Sequence, residues 1–431
     1  MAAIPTTQPA SASPLKQFII RHPLVAYFTL AILVLPVVHF MVRPLAAASR
    51  TSAPDVARID AFVRDQVQRH GIPGLALALV EGDRIIHLAG YGKADQSGRP
   101  VTPQTPFIVA SISKSLTALA VMQLVEAGKV ELDAPVQRYL PAFRVADPVS
   151  SRQITVRQLL LHTSGIPLTA CDTRENAETL EQFVAELQTV QLDAPVGARH
   201  NYCSGNYNVL GRIVEVVSGQ SFGDYIEQQV FAPLQMRHSF TTEEEAQRDG
   251  LVQNYQWVFG LRVPTFYRYN PSQLPSGYLI SSAEDMAHFL IAQLNEGGYD
   301  GASVLSPDGI AAMQARGVSR GEGRGEYGLG LVNERIGEVP VVGHDGAHFD
   351  ARTFMFMQPE TRRGAVLLLN AAGIPVVEAT AYKELREGVS RLLAGQEPAP
   401  AGSLSVPVLY FIVDAVLACL FALALWPLLR L

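Results

Sequence analysis

The chain has 431 residues, a formal net charge of −6 and 48% hydrophobic residues, enough to bury one large core or two to three smaller ones. Mild acidity without a basic tract speaks against nucleic acid as a partner. Three cysteines exclude a disulfide framework and a Cys-x-x-Cys metal site, and no cluster of His, Asp, Glu or Cys has metal-ligand spacing, so no metal or other cofactor is expected.

The pattern divides into a tail (1–22), a membrane span (23–42), a linker (43–54), a large globular domain (55–395), a second linker (396–403) and a second span (404–429). Leu24 to Val42 lacks a charged side chain over a length that crosses a bilayer. A cleaved signal peptide ending near Ala46-Ala47-Ala48 is the alternative; the apolar run is long for that, so an uncleaved anchor is the expectation. In the second span Tyr410 and Trp426 stand near the ends as interfacial aromatics do, and Asp414 falls inside, where an ionised carboxylate is costly. Two spans put both termini in the cytoplasm and the domain between them outside. Thr51-Ser52-Ala53-Pro54 and the Pro- and Ala-rich run from Gln396 to Gly402 read as tethers.

Within the domain, Val56 to Arg69 has helical spacing, and Leu75–Val80 with Arg84–Ala89 flanks the turn Glu81-Gly82-Asp83 as a hairpin. Helices are expected from Ser111 to Ala127, over Glu175–Leu187, Val209–Val217 and Phe222–Val230, and over Ser282–Leu294 with Ser281 or Ser282 as cap. Tyr327–Leu331, Val339–Val342, Thr353–Met357 and Gly364–Leu369 read as strands, and Val376–Leu393 as a closing helix. Strands, a helical middle, then strands again indicate one sheet built from both ends of the domain around an inserted helical region.

The chemistry centres on Ser111-Ile112-Ser113-Lys114. A serine hydroxyl needs a base near neutral pH, and residues three apart share a helix face, which sets the Lys114 amine beside the Ser111 hydroxyl. The helix N-terminus favours negative charge developing at Ser111. Ser113 and Ser115 fall off that face and read as bystanders. Four later stretches extend the pattern in order: the Leu159-to-Pro167 loop, Tyr202-Cys203-Ser204 with Tyr207, Tyr327-Gly328-Leu329-Gly330, and Gly343-His344-Asp345-Gly346.

Together these resemble the serine beta-lactamase and penicillin-binding-protein superfamily, with class C beta-lactamases, DD-peptidases and beta-lactamase-like esterases as relatives. The resemblance covers Val56 to Leu393 and implies an α+β fold: an antiparallel sheet flanked by helices plus a helical subdomain. It implies Ser111 as acyl-accepting nucleophile, Lys114 as its proton-managing neighbour and Tyr202 as second base and acid. The N–H groups of Ser111 and Ala347 would form the oxyanion hole, and Ser204, His344, Asp345 and Gly346 would contact substrate.

Two departures bear on substrate. Ser204 stands where relatives carry asparagine, and a hydroxyl reaches less far toward a substrate amide. His344-Asp345-Gly346 stands where beta-lactamases carry Lys-Thr-Gly; a histidine is only partly charged near pH 7, and Asp345 in the cleft would repel a carboxylate. An uncharged ester or amide is therefore the expected substrate of a membrane-anchored extracytoplasmic serine hydrolase. A DD-carboxypeptidase or endopeptidase acting on peptidoglycan, a beta-lactamase, and a non-catalytic penicillin-binding receptor or scaffold are the alternatives. Gly317-Val318-Ser319-Arg320-Gly321 imitates a nucleophile elbow without its strand and helix, and reads as a mobile loop. His162 reads as structural and His344 as the rival base. Cys171 and Cys203 stand as either a disulfide or two buried thiols, the second being favoured.

Overall fold

The computed structural model describes residues 54–172, 177–258, 260–266, 269–373, 378–400, 402 and 404–425. The expected N-terminal span over 23–42 lies outside the described residues, and so does the side chain of Cys171, on which a Cys171–Cys203 pairing depends.

Helix α1 (Val56–His70) is capped by Asp55, whose carboxylate accepts from the Arg58 N–H, and ends at Gly71. The hairpin follows as β1 (Gly74–Glu81) and β2 (Arg84–Gly92). The helical region begins with α2 (Ser113–Glu126) and contains α3 (Gly205–Ser218), and α4 (Ala283–Leu294) leads back to the sheet. The remaining strands are β3 (Val318–Ser319), β4 (Glu326–Tyr327), β5 (Val332–Ile336), β6 (Val339–His348), β7 (Ala351–Gln358) and β8 (Arg363–Leu369), and α5 (Lys383–Leu393) closes the domain.

These eight strands form one sheet in the order β2-β1-β8-β7-β6-β5-β4-β3. Strand β1 from the start of the domain pairs antiparallel with β8 from its end, from Leu75 opposite Leu369 to Glu81 opposite Arg363. The Arg363 guanidinium lies 3.0 Å from the Glu81 carboxylate and closes that register. Both faces are covered, so β1 is buried from Gly74 through Val80. Ala76, Ala78 and Val80 face the core that includes Met286, Phe289 and Leu290 of α4; Leu75, Leu77 and Leu79 alternate to the face carrying α1 and α5. Each such leucine contributes about 1.5–3 kcal/mol by leaving water.

Helix α2 lies within the core and packs on α3. Its buried hydroxyls are satisfied: the Ser113 hydroxyl accepts from the Leu279 N–H, while Ser115 donates to the Gly330 carbonyl and Thr117 to the Pro275 carbonyl. The serines expected as bystanders thus anchor the helix to the segments that wall the site. Within the imitation elbow, Val318–Ser319 forms the edge strand β3, with Ser319 opposite Glu326. Beyond the domain, Val406–Leu425 is a 20-residue helix, and its segment Val406–Ala424 has a mean hydropathy of 2.4, long and apolar enough to cross a membrane.

Candidate active site

Ser111 lies in a 3-10 turn, Ala110–Ile112, that runs directly into α2. Ala110 is held at φ +48, a left-handed conformation that costs a residue with a Cβ roughly 1–2 kcal/mol. Lys114, one turn further, is wholly buried. Its Nζ donates to Ser111 Oγ at 3.0 Å and to the backbone carbonyl of Ser276 at 2.5 Å. The amine also faces aromatic rings, 5.1 Å from the centroid of Tyr202 and 5.9 Å from that of Tyr207.

Tyr202 arrives from the segment just before α3, and its hydroxyl donates to Ser111 Oγ at 3.0 Å. His162 fixes that segment. It is fully buried at φ +56, its carbonyl accepts from the Asn201 N–H at 2.7 Å, and its Nδ1 accepts from the Cys203 N–H at 3.2 Å and the Asn206 amide at 3.1 Å. Asn206 in turn accepts from Ser164, and the Tyr207 hydroxyl donates to the Leu160 carbonyl. Burial and the nearby Lys114 hold His162 well below the usual histidine range, so it is a neutral clamp and no partner of Ser111. Ser204 occupies the N-cap position of α3 without capping it.

The opposite wall is β6. Gly346 abuts the nucleophile turn: a Cβ there would come 2.0 Å from Thr353 Oγ1, 2.6 Å from the Val109 carbonyl and 3.0 Å from the Ala110 Cβ. Only glycine lets the strand approach this closely. Ala347 follows, exposed on the rim.

His344 and Asp345, expected as substrate contacts, are both engaged by other side chains of the protein. His344 is buried; Tyr327 donates to its Nε2 at 2.9 Å and its Nδ1 donates to the Asp345 carbonyl at 2.7 Å. Burial, reinforced by Lys114, lowers its pKa to about 3. It is neither a cation for a substrate carboxylate nor a free base. Asp345, one residue on, alternates to the other face of the sheet, where its carboxylate lies 3.0 Å from Arg386 of α5. Burial pushes its pKa up to about 6 against the pull of Arg386. The pleat thus removes Asp345 from substrate. The Ser276 carbonyl was not foreseen, because a main-chain acceptor leaves no side-chain signal, and neither was the Tyr327–His344 bond.

Residues 59–389 match the family described as Beta-lactamase. The chain belongs to the beta-lactamase family. It is 35% identical to Penicillin-binding protein 4 of Amycolatopsis lactamdurans over 317 residues, which cover 70% of this chain and 81% of that one. It is 27% identical to Protein flp of Staphylococcus aureus strain MW2 over 325 residues, covering 73% of this chain but only 62% of the relative's length. Among solved structures it is similar to the octameric penicillin-binding protein homologue from Pyrococcus abyssi, with a TM-score of 0.71 and 27% identity over 80% of this chain and 79% of that one. Membership in the beta-lactamase family supports chemistry of the serine hydrolase, acyl-enzyme type, in line with the Ser111, Lys114 and Tyr202 cluster.

Proposed function

We propose that this protein is a membrane-tethered, extracytoplasmic serine hydrolase that cleaves an uncharged ester or amide through an acyl-serine intermediate. The observation that carries the reading is the convergence of the Lys114 amine and the Tyr202 hydroxyl on one oxygen, Ser111 Oγ, each at 3.0 Å. In this reading Ser111 Oγ attacks the substrate carbonyl and its proton passes to the Lys114–Tyr202 pair. The carbonyl oxygen takes up negative charge beside the N–H groups of Ser111 and Ala347; such donors are worth about 3 kcal/mol each. The pair returns the proton to the leaving oxygen or nitrogen as that bond breaks. Water then attacks the acyl-serine and restores Ser111. Lys114 is wholly buried whereas Tyr202 is part-exposed, so Tyr202 is the member that meets the leaving group.

A neutral His344 supplies no positive charge for an anionic substrate, which favours an uncharged one. The objection raised by Asp345 disappears, since that carboxylate faces α5. The second reading is a penicillin-binding protein, either a peptidase acting on peptidoglycan or a receptor, and the 35% identity to Penicillin-binding protein 4 of Amycolatopsis lactamdurans supports penicillin binding. The apolar helix beginning at Val406 supports the tether.

The test is the full chain in detergent, offered a short aryl ester, a chromogenic cephalosporin and a D-Ala-D-Ala peptide. Ester turnover abolished by Ser111→Ala is the expected result. Turnover of the peptide, or stable labelling by fluorescent penicillin without turnover, moves the reading to the peptidase or receptor. Silence toward all three and toward a fluorophosphonate ends the hydrolase reading.

A further inference from the structure

Two strands outside the main sheet, Tyr255–Val258 and Leu261–Pro264, pair antiparallel as a hairpin, with Val258 opposite Leu261 and Gln256 opposite Val263. Tyr255 and Trp257 point inward and are buried, so the alternation sends Gln256, Val258, Leu261 and Val263 outward. Leu261 is 68% exposed, Phe266 just beyond it 85%, and Phe349, whose carbonyl accepts from Gln256, 47%. An outward hairpin face this apolar needs an occupant.

We infer that this hairpin is an interfacial lipid-contact element that rests in the bilayer surface to which the chain is tethered; the inference rests on the proposed tether. Three observations select lipid. Between Asn254 and Asn270 the chain has six aromatic residues, Arg262 and Arg268, and no Asp or Glu, although its net charge is −6. Aromatic and apolar residues with basic ones interspersed are what the interface between headgroups and acyl chains takes up, and an acidic partner surface is the charge they suit. Arg262 is itself exposed near the hairpin tip. Finally, Trp257 and Pro407 border the same glycine: a Cβ on Gly71 would stand 3.3 Å from the Trp257 ring and 3.6 Å from that of Pro407. Pro407 is the last residue of the globular unit. The hairpin tip lies within four residues of Trp257, so within about 13 Å along an extended strand of the residue that borders that exit. A surface helix or hairpin of this kind sinks about 5–10 Å below the headgroups.

The test uses the full chain in vesicles of phosphatidylcholine and phosphatidylglycerol. Leu261→Cys, with Cys171→Ser and Cys419→Ser, is labelled with an environment-sensitive nitrobenzoxadiazole dye, and Val149→Cys in the same background is the control; Val149 is an exposed residue of the helical region. Ester turnover reports that each labelled chain is folded. The expected result is blue-shifted emission at position 261 that doxyl-labelled lipid quenches, with neither effect at 149. Emission at 261 that matches 149, or a blue shift that doxyl lipid leaves unquenched because a second protein surface covers the site, overturns the inference. Extraction at alkaline pH reads the tether separately. A chain that stays in the membrane with position 261 unquenched keeps the tether and loses the hairpin; a chain that is extracted yet quenched beforehand does the reverse.

Discussion

Replacing Tyr202 by phenylalanine removes one atom from the proposed proton path and little else. The ring would keep its place, because it packs 4.4 Å from His162 and 5.1 Å from the Lys114 amine by centroid, contacts the hydroxyl does not make. The lost bond to Ser111 Oγ at 3.0 Å is worth about 1 kcal/mol of stability, so the denaturation midpoint should move only slightly. Turnover should fall far more, because a positioned acid and base contributes about 10²–10⁴-fold, or about 3–5 kcal/mol of barrier. The loss should depend on the leaving group. A p-nitrophenolate departs without a proton, whereas an alkoxide or amine requires one, so Tyr202→Phe should cost an alkyl ester or amide much more than an aryl ester. The assay is kcat/KM for an aryl and an alkyl ester of the same acid, with both enzymes checked by thermal melting. Equal losses on both substrates would show that Tyr202 only orients Ser111, and near-normal turnover of the alkyl ester would remove it from the reaction altogether.

Two further expectations come from β6. His344 falls from the ordinary histidine value of 6.5 to about 3 in the fold, so the unfolded chain binds its proton first. The stability this neutral histidine lends is complete above about pH 6.5 and is lost as pH falls toward 3, with about 2 kcal/mol gone at pH 5; His162 and His200, also lowered by burial, add in the same direction. Urea midpoints measured from pH 7 to pH 5 should therefore decline, and a flat profile would mean that these rings are charged in the fold. Asp345 has the opposite sign: at about 6 against an ordinary 3.8, it binds its proton first in the fold and offsets part of that loss as pH drops. Asp345→Asn should steepen the acid decline and yet leave ester kcat/KM within about a factor of two, the range of a substitution away from the reacting atoms. A large loss of turnover would place that carboxylate back in the cleft.

Where sequence and structure agree, a short-range rule was at work. The Ser111–Lys114 pairing follows from three residues of helical spacing, and strands from short apolar runs such as Leu75–Val80 and Gly364–Leu369, while the antiparallel α+β arrangement was implied by the family resemblance. His162 was read as structural for the shape of its loop, and its bonds to the 201–206 segment give that role a mechanism. Where they differ, the cause is long-range or main-chain. His344-Asp345-Gly346 can be read as three substrate contacts only if the pleat is ignored: alternate residues of β6 face opposite layers, and what Asp345 meets depends on α5, some forty positions later. Val339–Val342 was too short a reading of β6 because Gly343, Asp345 and Gly346 break a hydrophobic pattern, while pairing with β7 carries the strand on to His348. The Tyr255–Pro264 hairpin was missed because its outward face is apolar, which hides the usual alternation of a half-buried strand.

The departures from the family's pattern fall on both walls of the site, at Ser204 beside Tyr202 and at His344-Asp345 on β6. Ser111, Lys114 and Tyr202 are each held by several independent restraints: a strained turn, a buried helix with satisfied hydroxyls, and a histidine-clamped loop. Their geometry therefore survives change elsewhere. Ser204 and Ala347 are lightly held by comparison, the first an N-cap residue that makes no capping bond and the second exposed on a strand end. Changes at such positions alter what the cleft accepts at little cost to the fold, whereas changes beneath Ser111 would cost both. His344 belongs to the buried group despite occupying a position read as a substrate contact. A lysine there would bury a second amine close to Lys114 and would break the bond from Tyr327. Specificity for an anionic substrate is thus not one substitution away in this chain; it would require rebuilding the Tyr327, His344 and Lys114 layer together.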